Sequence, residues 1–163
     1  MKATITFDFD ENLQSALANI ITKGTGTIAE TPAEKPADIV TPAFEDGKFI
    51  GARVCVSGED FIIAPKDYRD GKGMPWQEAM DALKADNLST WNYRQICLTM
   101  AYRKEVDKVL VDNGGDSLDN WYWTCAEYSA YISFYYTGDY GGLDFNSKYG
   151  TCSVRPVLAL TKS

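Results

Sequence analysis

The spacing of apolar and aromatic residues changes near Asn120, and this change restricts the folds that the chain can adopt. Before Asn120, apolar residues recur at helical spacing. After it, seven of the ten tyrosines lie between Tyr122 and Tyr149, interleaved with Gly, Ser and Asp. Aromatic residues between turn formers are typical of short strands and loops. Helices followed by a run of short strands predict an α+β fold and not a doubly wound one.

Two helices and a hairpin are predicted before Asn120. Pro75 suits the first turn of a helix whose apolar stripe is Trp76, Ala79, Met80 and Leu83. This stripe predicts core packing. A second helix is predicted from Thr99, as its cap, to Asn113-Gly114-Gly115, with Val106, Val109 and Leu110 facing inward. Residues 52–56 and 61–64 predict two strands, with the turn at 57–60 between them.

The N-terminal part differs from the rest of the chain. Residues 1–24 predict a strand and a helix, which together are too small to fold alone. They therefore serve as an anchor or homo-oligomerisation segment, or pack on the main domain. Residues 25–47 are rich in Pro, Ala and Thr and predict a linker. The main domain is predicted at 48–163.

Composition and charge exclude several classes of function. A net charge of -7 argues against nucleic acid and anionic membranes as partners. There is no apolar run of membrane-spanning length and no secretion signal, so we expect synthesis in the cytoplasm without membrane insertion. The chain has no histidine, which removes His-dependent catalysis and most zinc sites. We expect no metal and no cofactor.

The four cysteines, Cys55, Cys97, Cys125 and Cys152, form no CxxC pair. Free thiols are the default for a cytoplasmic protein. Cys125 and Cys152 are both expected in the small sheet, so a disulfide between them after export stays open.

Several motifs together resemble a known group. They are Trp76-Gln77-Glu78-Ala79, Trp91 with Arg94, Leu98-Thr99, Trp123-Thr124 with Glu127, and the terminal Val154-Arg155-Pro156-Val157-Leu158. Residues 48–161 resemble the C-type-lectin-like fold, in its phage and bacterial branch of formylglycine-generating-enzyme-like domains and variable proteins of diversity-generating retroelements. The resemblance implies two helices and a small, mainly antiparallel twisted sheet. The usual Leu-Pro-Thr before the second helix appears here without its proline.

The resemblance also implies a ligand-binding surface near the C-terminus. In the diversified relatives, asparagine codons are rewritten at adenines, which cannot produce Lys, Glu, Gln, Met or Trp. Between Tyr128 and Cys152 the only residue of that excluded set is Lys148. The predicted ligand contacts are Tyr128, Ile132, Ser133, Asp139, Tyr140, Gly142, Asp144, Phe145, Asn146, Ser147, Tyr149, Gly150 and Cys152. Their central members are Tyr140, Asp144, Phe145, Asn146 and Tyr149. A short twisted β region is also naturally rich in these residue types.

Some aromatic and charged residues of this region are predicted to be structural. We expect Trp121, Trp123, Phe134 and Tyr136 to belong to the core. Arg155 is expected to pair with a carboxylate inside the fold, with Glu127 as the predicted partner.

The function predicted from these observations is recognition of a protein or glycan ligand on a cell or particle surface, without enzymatic activity. Tyr, Ser, Gly and Asn are the residues of antibody loops, which suits recognition. The resemblance implies a receptor-binding or display protein of phage or prophage type, which is incorporated into a phage particle. A decoration protein without selective binding is the alternative function.

A redox enzyme and a calcium-dependent lectin have less support from the sequence. A formylglycine-generating oxidase needs a closely spaced cysteine pair, which Cys125 and Cys152 do not reproduce. A calcium-dependent lectin needs Glu-Pro-Asn or Trp-Asn-Asp, and neither is present, although Asp139, Asp144 and Asn146 could supply oxygen ligands.

Overall fold

Two tight hairpins start the part of the chain that the computed structural model describes, residues 39–160. Strands β1 (Val40–Glu45), β2 (Lys48–Val56) and β3 (Glu59–Ile63) are antiparallel neighbours. Both residues of each turn have positive φ, 49° and 75° at Asp46-Gly47 and 53° and 84° at Ser57-Gly58. Such two-residue turns match the twist of antiparallel strands. The predicted hairpin is confirmed.

Strand β1 corrects the predicted linker, 25–47, and with it the predicted start of the main domain at residue 48. Val40–Glu45 pair with Lys48–Val56 in the first sheet, and Val40 packs on the core. Pro42 falls within the predicted linker, but a proline is tolerated on an edge strand, where its missing N–H breaks no ladder. Residues 25–38 of the predicted linker and the predicted strand-helix segment 1–24 lie outside the described residues.

Three α-helices follow within residues 39–160, where two were predicted. They are α1 (Trp76–Ala85), α2 (Tyr93–Ala101) and α3 (Arg103–Asp112). Helix α1 agrees with the predicted first helix. The predicted start at Thr99 is wrong, because Asn92 and Gln95 form a reciprocal capping box that begins α2 earlier. Thr99 lies inside α2, where its hydroxyl donates to the Gln95 carbonyl.

The C-terminal part consists of short strands, as predicted. Strands β5 (Trp121–Glu127), β6 (Ile132–Thr137) and β7 (Gly142–Ser147) form a three-stranded antiparallel sheet. Strand β4 (Met74–Pro75) pairs with β8 (Thr151–Cys152), and β9 (Val157–Ala159) joins β3 in the first sheet. The α+β class is confirmed, with the described strands distributed over three sheets instead of one small sheet.

The three-stranded sheet contributes to two separate core clusters. Tyr122 and Tyr136 pack with Trp91 and the first sheet, whereas Trp123 and Tyr135 pack with α1. Successive residues of a strand point to opposite faces, so neighbouring residues enter different clusters. Both faces of β5 and β6 are therefore partly covered, and β7 is left as the free edge of the sheet.

The core predictions have mixed outcomes. The stripe of α1 is confirmed, with Trp76, Ala79 and Leu83 buried and Met80 packed against them. Trp123 and Tyr136 are fully buried as predicted, and Phe134 is partly buried. The prediction for Trp121 is wrong, because this residue is 47% exposed. It lies at the start of β5 on the same face as Trp123.

Arg155 does form a buried ion pair, but its partner is Asp67 and not Glu127. Glu127 lies at the exposed end of β5, beyond a register shift, and pairs there with Lys148. The sequence indicates the type of interaction and not the element that supplies the carboxylate.

Candidate ligand-binding surface

Strand β7 carries many of the predicted contacts, and its register on β6 divides them between two faces. Phe145 lies opposite Phe134, and Asp144 lies opposite Tyr135. Directly opposed residues share a face, and adjacent residues of one strand do not. The predicted central contacts Asp144 and Phe145 therefore point to opposite sides of the sheet. The predicted set does not form one continuous surface.

An exposed cluster of rings lies on the Phe145 side. The aromatic cluster consists of Tyr93, Tyr128, Phe134 and Phe145. Ring centroids are 5.7 Å apart for Tyr93 and Phe134, 5.7 Å for Phe134 and Tyr128, and 5.4 Å for Tyr128 and Phe145. The first two contacts are edge-to-face and the third is stacked, which are the favourable arrangements of aromatic pairs.

Three members of the aromatic cluster remain largely open to solvent. Tyr93 is 55% exposed, Tyr128 62% and Phe145 55%. Tyr93 is the first residue of α2, directly after the capping residue Asn92, so the capping box places it beside the sheet. Sequence reasoning missed Tyr93 because it lies far from the Tyr-rich segment along the chain. The one sequence signal for Tyr93 is its position directly after Asn92, a residue type that commonly caps helices.

The opposite face carries aromatic rings together with carboxylates. The acidic aromatic site consists of Trp121, Tyr135, Asp139 and Asp144. The Trp121 indole N–H donates to Asp139 Oδ1 at 3.0 Å, and the Tyr135 hydroxyl donates to Asp144 Oδ2 at 3.4 Å. The Trp121 and Tyr135 rings lie 5.6 Å apart. Burial, and then the charges of Asp144 and Asp139, raise the pKa of Tyr135, so both carboxylates act on the same ring.

A third exposed region is a groove of about 240 Å³ beside the loop before β6, lined by Pro75, Gln77, Ala130, Tyr131, Lys148 and Tyr149. Lys148 Nζ lies 4.2 Å from the centroid of the Trp76 ring and pairs with Glu127. The backbone N–H of Lys148 donates to the Tyr131 carbonyl, and the Trp76 N–H donates to the Lys148 carbonyl. Lys148 is therefore fixed on both its side chain and its backbone.

The free edge of β7 is partly closed to a further strand. The Phe145 N–H donates to Asp144 Oδ1 at 2.8 Å, and the Ser147 N–H donates to Asn146 Oδ1 at 2.7 Å. These side chains occupy donors that an added strand would need. Proteins commonly protect edge strands against unwanted pairing. A ligand is thus expected to contact the side chains of β7 more than its backbone.

Two predicted contacts are wrong because their side chains are buried. Ser133 is fully buried and donates to the Ala126 carbonyl at 2.8 Å. Cys152 is buried against Trp123 and the α1 cluster. Both residues lie on strands whose alternation turns them inward, which the composition of the segment could not reveal.

The remaining predicted contacts are accessible to different degrees. Tyr140, at the turn between β6 and β7, is 83% exposed. The exposed members besides Tyr140 are Tyr128, Asp139, Asp144, Phe145, Ser147 and Tyr149, and the partly buried ones are Ile132, Gly142, Asn146 and Gly150.

The cysteines form no disulfide: Cys55, Cys97, Cys125 and Cys152 are all free thiols. Burial raises the pKa of the Cys152 thiol to about 12 and also raises that of Cys125. A high pKa suppresses the thiolate that redox or nucleophilic chemistry requires.

Comparisons with known proteins found no family model and no curated protein that matches this chain. Within residues 39–160 no three His, Cys, Asp or Glu side chains are grouped so that they could hold a metal ion. None of the helices in the same described range has the length and apolar character needed to cross a membrane.

Proposed function

We propose that this protein recognises a protein or glycan ligand through the side chains around β7, with the aromatic cluster as the main contact surface. The observation that carries the proposal is the connected set of rings at Tyr93, Tyr128, Phe134 and Phe145, three of which are more than half exposed. Exposed aromatic rings in mutual contact are unusual on a surface without a binding role, because they leave contiguous apolar area in water.

The cluster is also well suited to binding in energetic terms. Aromatic side chains supply large contact areas and have few rotatable bonds to immobilise. Phe134 is held in the middle strand of the sheet, and Tyr93 is held by the capping box of α2. Because the rings support one another before a ligand arrives, little conformational entropy remains to be lost on binding.

We further propose that the domain has a C-type-lectin-like fold and belongs to a phage or prophage display protein. The element order supports this, with the terminal Val157–Ala159 strand joining the first sheet beside β3. The position of Lys148 supports a further part of the proposal, that a retroelement diversifies the surface residues around it. It is the one residue between Tyr128 and Cys152 that adenine rewriting of an asparagine codon cannot produce, and it is fixed by Glu127 and Trp76.

The coding DNA tests the proposed diversification. We expect a near-identical repeat with asparagine codons at Tyr128, Tyr140, Asp144, Phe145 and Tyr149, beside a reverse transcriptase gene. Absence of both features would remove diversification and leave recognition as the remaining proposal.

Recognition itself is tested by ligand selection on the whole protein. A displayed random-peptide library and a glycan array are probed with the wild type and with Tyr128→Ser, Phe145→Ser and Phe44→Ser. Phe44 is a matched control, because it is a strand phenylalanine with the same 55% exposure as Phe145. We expect to find ligands that bind the wild type and Phe44→Ser but bind Tyr128→Ser and Phe145→Ser much more weakly. Ligands that all three variants bind equally, or no ligand in either collection, would refute the proposal.

A further inference from the structure

We propose that the acidic aromatic site captures a cationic side chain, arginine or lysine, of a protein ligand. The inference rests on the proposed function and names the chemistry of part of its ligand. It concerns the face of β7 opposite the aromatic cluster, so it is carried by a different set of contacts.

The accessible ring of the site is the Trp121 indole, because Tyr135 beneath it is buried in the core cluster with α1. The Trp121 ring is 47% exposed and stands 5.6 Å from the Tyr135 ring. Asp139 Oδ1 accepts from the Trp121 indole N–H at 3.0 Å, which holds the carboxylate at the edge of the ring. A cation over the face of an indole is attracted by the ring quadrupole, and tryptophan is the strongest such partner.

Two carboxylates border the rings. Asp144 reaches the Tyr135 hydroxyl from β7, and Asp139 is held at the turn by the Tyr140 N–H at 3.1 Å as well as by Trp121. In the described range, all ion pairs involve other acidic residues, and neither Asp139 nor Asp144 has a basic partner. The negative charge of the site is therefore available to an incoming cation.

Charge separates this proposal from stacking of a neutral sugar. A sugar ring also stacks on an exposed indole and its hydroxyls can donate to carboxylates, but a neutral sugar brings no charge to balance theirs. A guanidinium or ammonium group can make a cation–π contact with the ring face and ion pairs with the carboxylates at the same time. The net charge of -7 on the whole chain favours the approach of a basic ligand in the same sense.

The test uses the full chain and the indole N–H signals of its four tryptophans. Trp76, Trp91 and Trp123 are buried, so the Trp121 signal reports on the site. The protein is titrated with N-acetyl-arginine amide, and N-acetyl-citrulline amide serves as the neutral ligand of nearly the same shape. We expect a saturable shift of the Trp121 signal with arginine that weakens as salt is added, and a weaker response to citrulline.

The variants Asp139→Asn and Asp144→Asn remove one charge each and keep an acceptor oxygen for Trp121 or Tyr135. We expect each to weaken arginine binding by about two- to fivefold, the size of a surface cation–π or ion-pair contribution. Asp46→Asn is the control, because Asp46 is exposed in the turn between β1 and β2. Unchanged unfolding midpoints show that the variants remain folded.

The outcomes separate this inference from the proposed function. Equal binding of arginine and citrulline, or equal weakening by Asp46→Asn, overturns the cation site whatever the natural ligand is. If selected ligands depend on Tyr128 and Phe145 while arginine produces no saturable shift, recognition stands and the cation site fails. If arginine binds as expected but no selected ligand depends on the aromatic cluster, the aromatic surface fails and the cation site stands.

Discussion

Arg155 Nη2 lies 2.7 Å from Asp67 Oδ1, and the two side chains are 0% and 11% exposed. The same guanidinium donates to the carbonyls of Ala64, Asp116 and Ser117 at 3.1, 3.3 and 3.2 Å. The segment between β8 and β9 is thereby hydrogen-bonded to the loop after β3 and to the loop after α3. One cation thus joins three segments that are distant in sequence.

Asp67→Asn is expected to lower the free energy of unfolding by about 3 kcal/mol, because it leaves a buried guanidinium without its countercharge. Urea denaturation measures the effect. Asp112→Asn is the control, since Asp112 and its partner Lys108 are both exposed, and its cost is expected to be below about 1 kcal/mol. Equal effects of the two substitutions would show that the Arg155 pair contributes no more than a surface pair.

Asn92→Ala is expected to destabilise the protein by about 1 kcal/mol, because the Asn92 side chain accepts the Gln95 N–H at the start of α2. Asn92→Asp keeps an acceptor and is expected to cost little. Thermal unfolding of the two variants checks this difference. The alanine substitution also tests the support of Tyr93, since a frayed α2 would weaken the binding of any ligand that depends on the aromatic cluster.

Gly138→Ala is expected to destabilise the fold by about 1–3 kcal/mol, the usual cost of overpacking. An added Cβ would lie 2.1 Å from the Leu118 carbonyl oxygen and 2.4 Å from that of Asn120. Gly73→Ala is the control, because its added Cβ would lie at ordinary contact distance, 3.6 Å from Thr151 Cβ. Denaturant midpoints that coincide for the two variants would contradict this packing.

Cys152 is expected to resist alkylation in the native protein at pH 8, whereas the exposed Cys55 and Cys97 react. Burial raises the pKa of Cys152 to about 12, so only about one thiol in ten thousand is ionised at that pH. Reactivity of Cys152 should rise only as the pH approaches that value or as the protein unfolds. Mass spectrometry after iodoacetamide treatment, with and without urea, measures this. Rapid native labelling of Cys152 would contradict its burial.

Periodic patterns made much of the fold predictable. The stripe of α1, the β2–β3 hairpin and the change to short strands after Asn120 are all local signals, and the structure confirms them. The start of α2 and strand β1 were missed for a physical reason. The capping box at Asn92 and Gln95 starts α2 before the predicted cap, Thr99. Pro42 lies on an edge strand, but the sequence around it does not distinguish this position from a linker.

The candidate site was predicted less well than the fold. Composition correctly placed exposed aromatic residues near the C-terminus, with Tyr128, Tyr140, Phe145 and Tyr149 all open to solvent. It did not separate the two faces of β7, because composition counts residue types and ignores their period. Leu143 and Phe145 do alternate with Asp144 and Asn146 along the strand.

The sequence by itself determined the fold class, the first helix and its buried stripe, and the presence of an aromatic-rich β region, since each depends on local periodicity and turn chemistry. The tertiary structure decided which residues meet. It joined Tyr93 to Phe134, Arg155 to Asp67, and Trp121 to Asp139, and it turned Ser133 and Cys152 inward. These outcomes depend on strand register and on the packing of distant segments, and a shift of one residue in register exchanges the two faces of a strand.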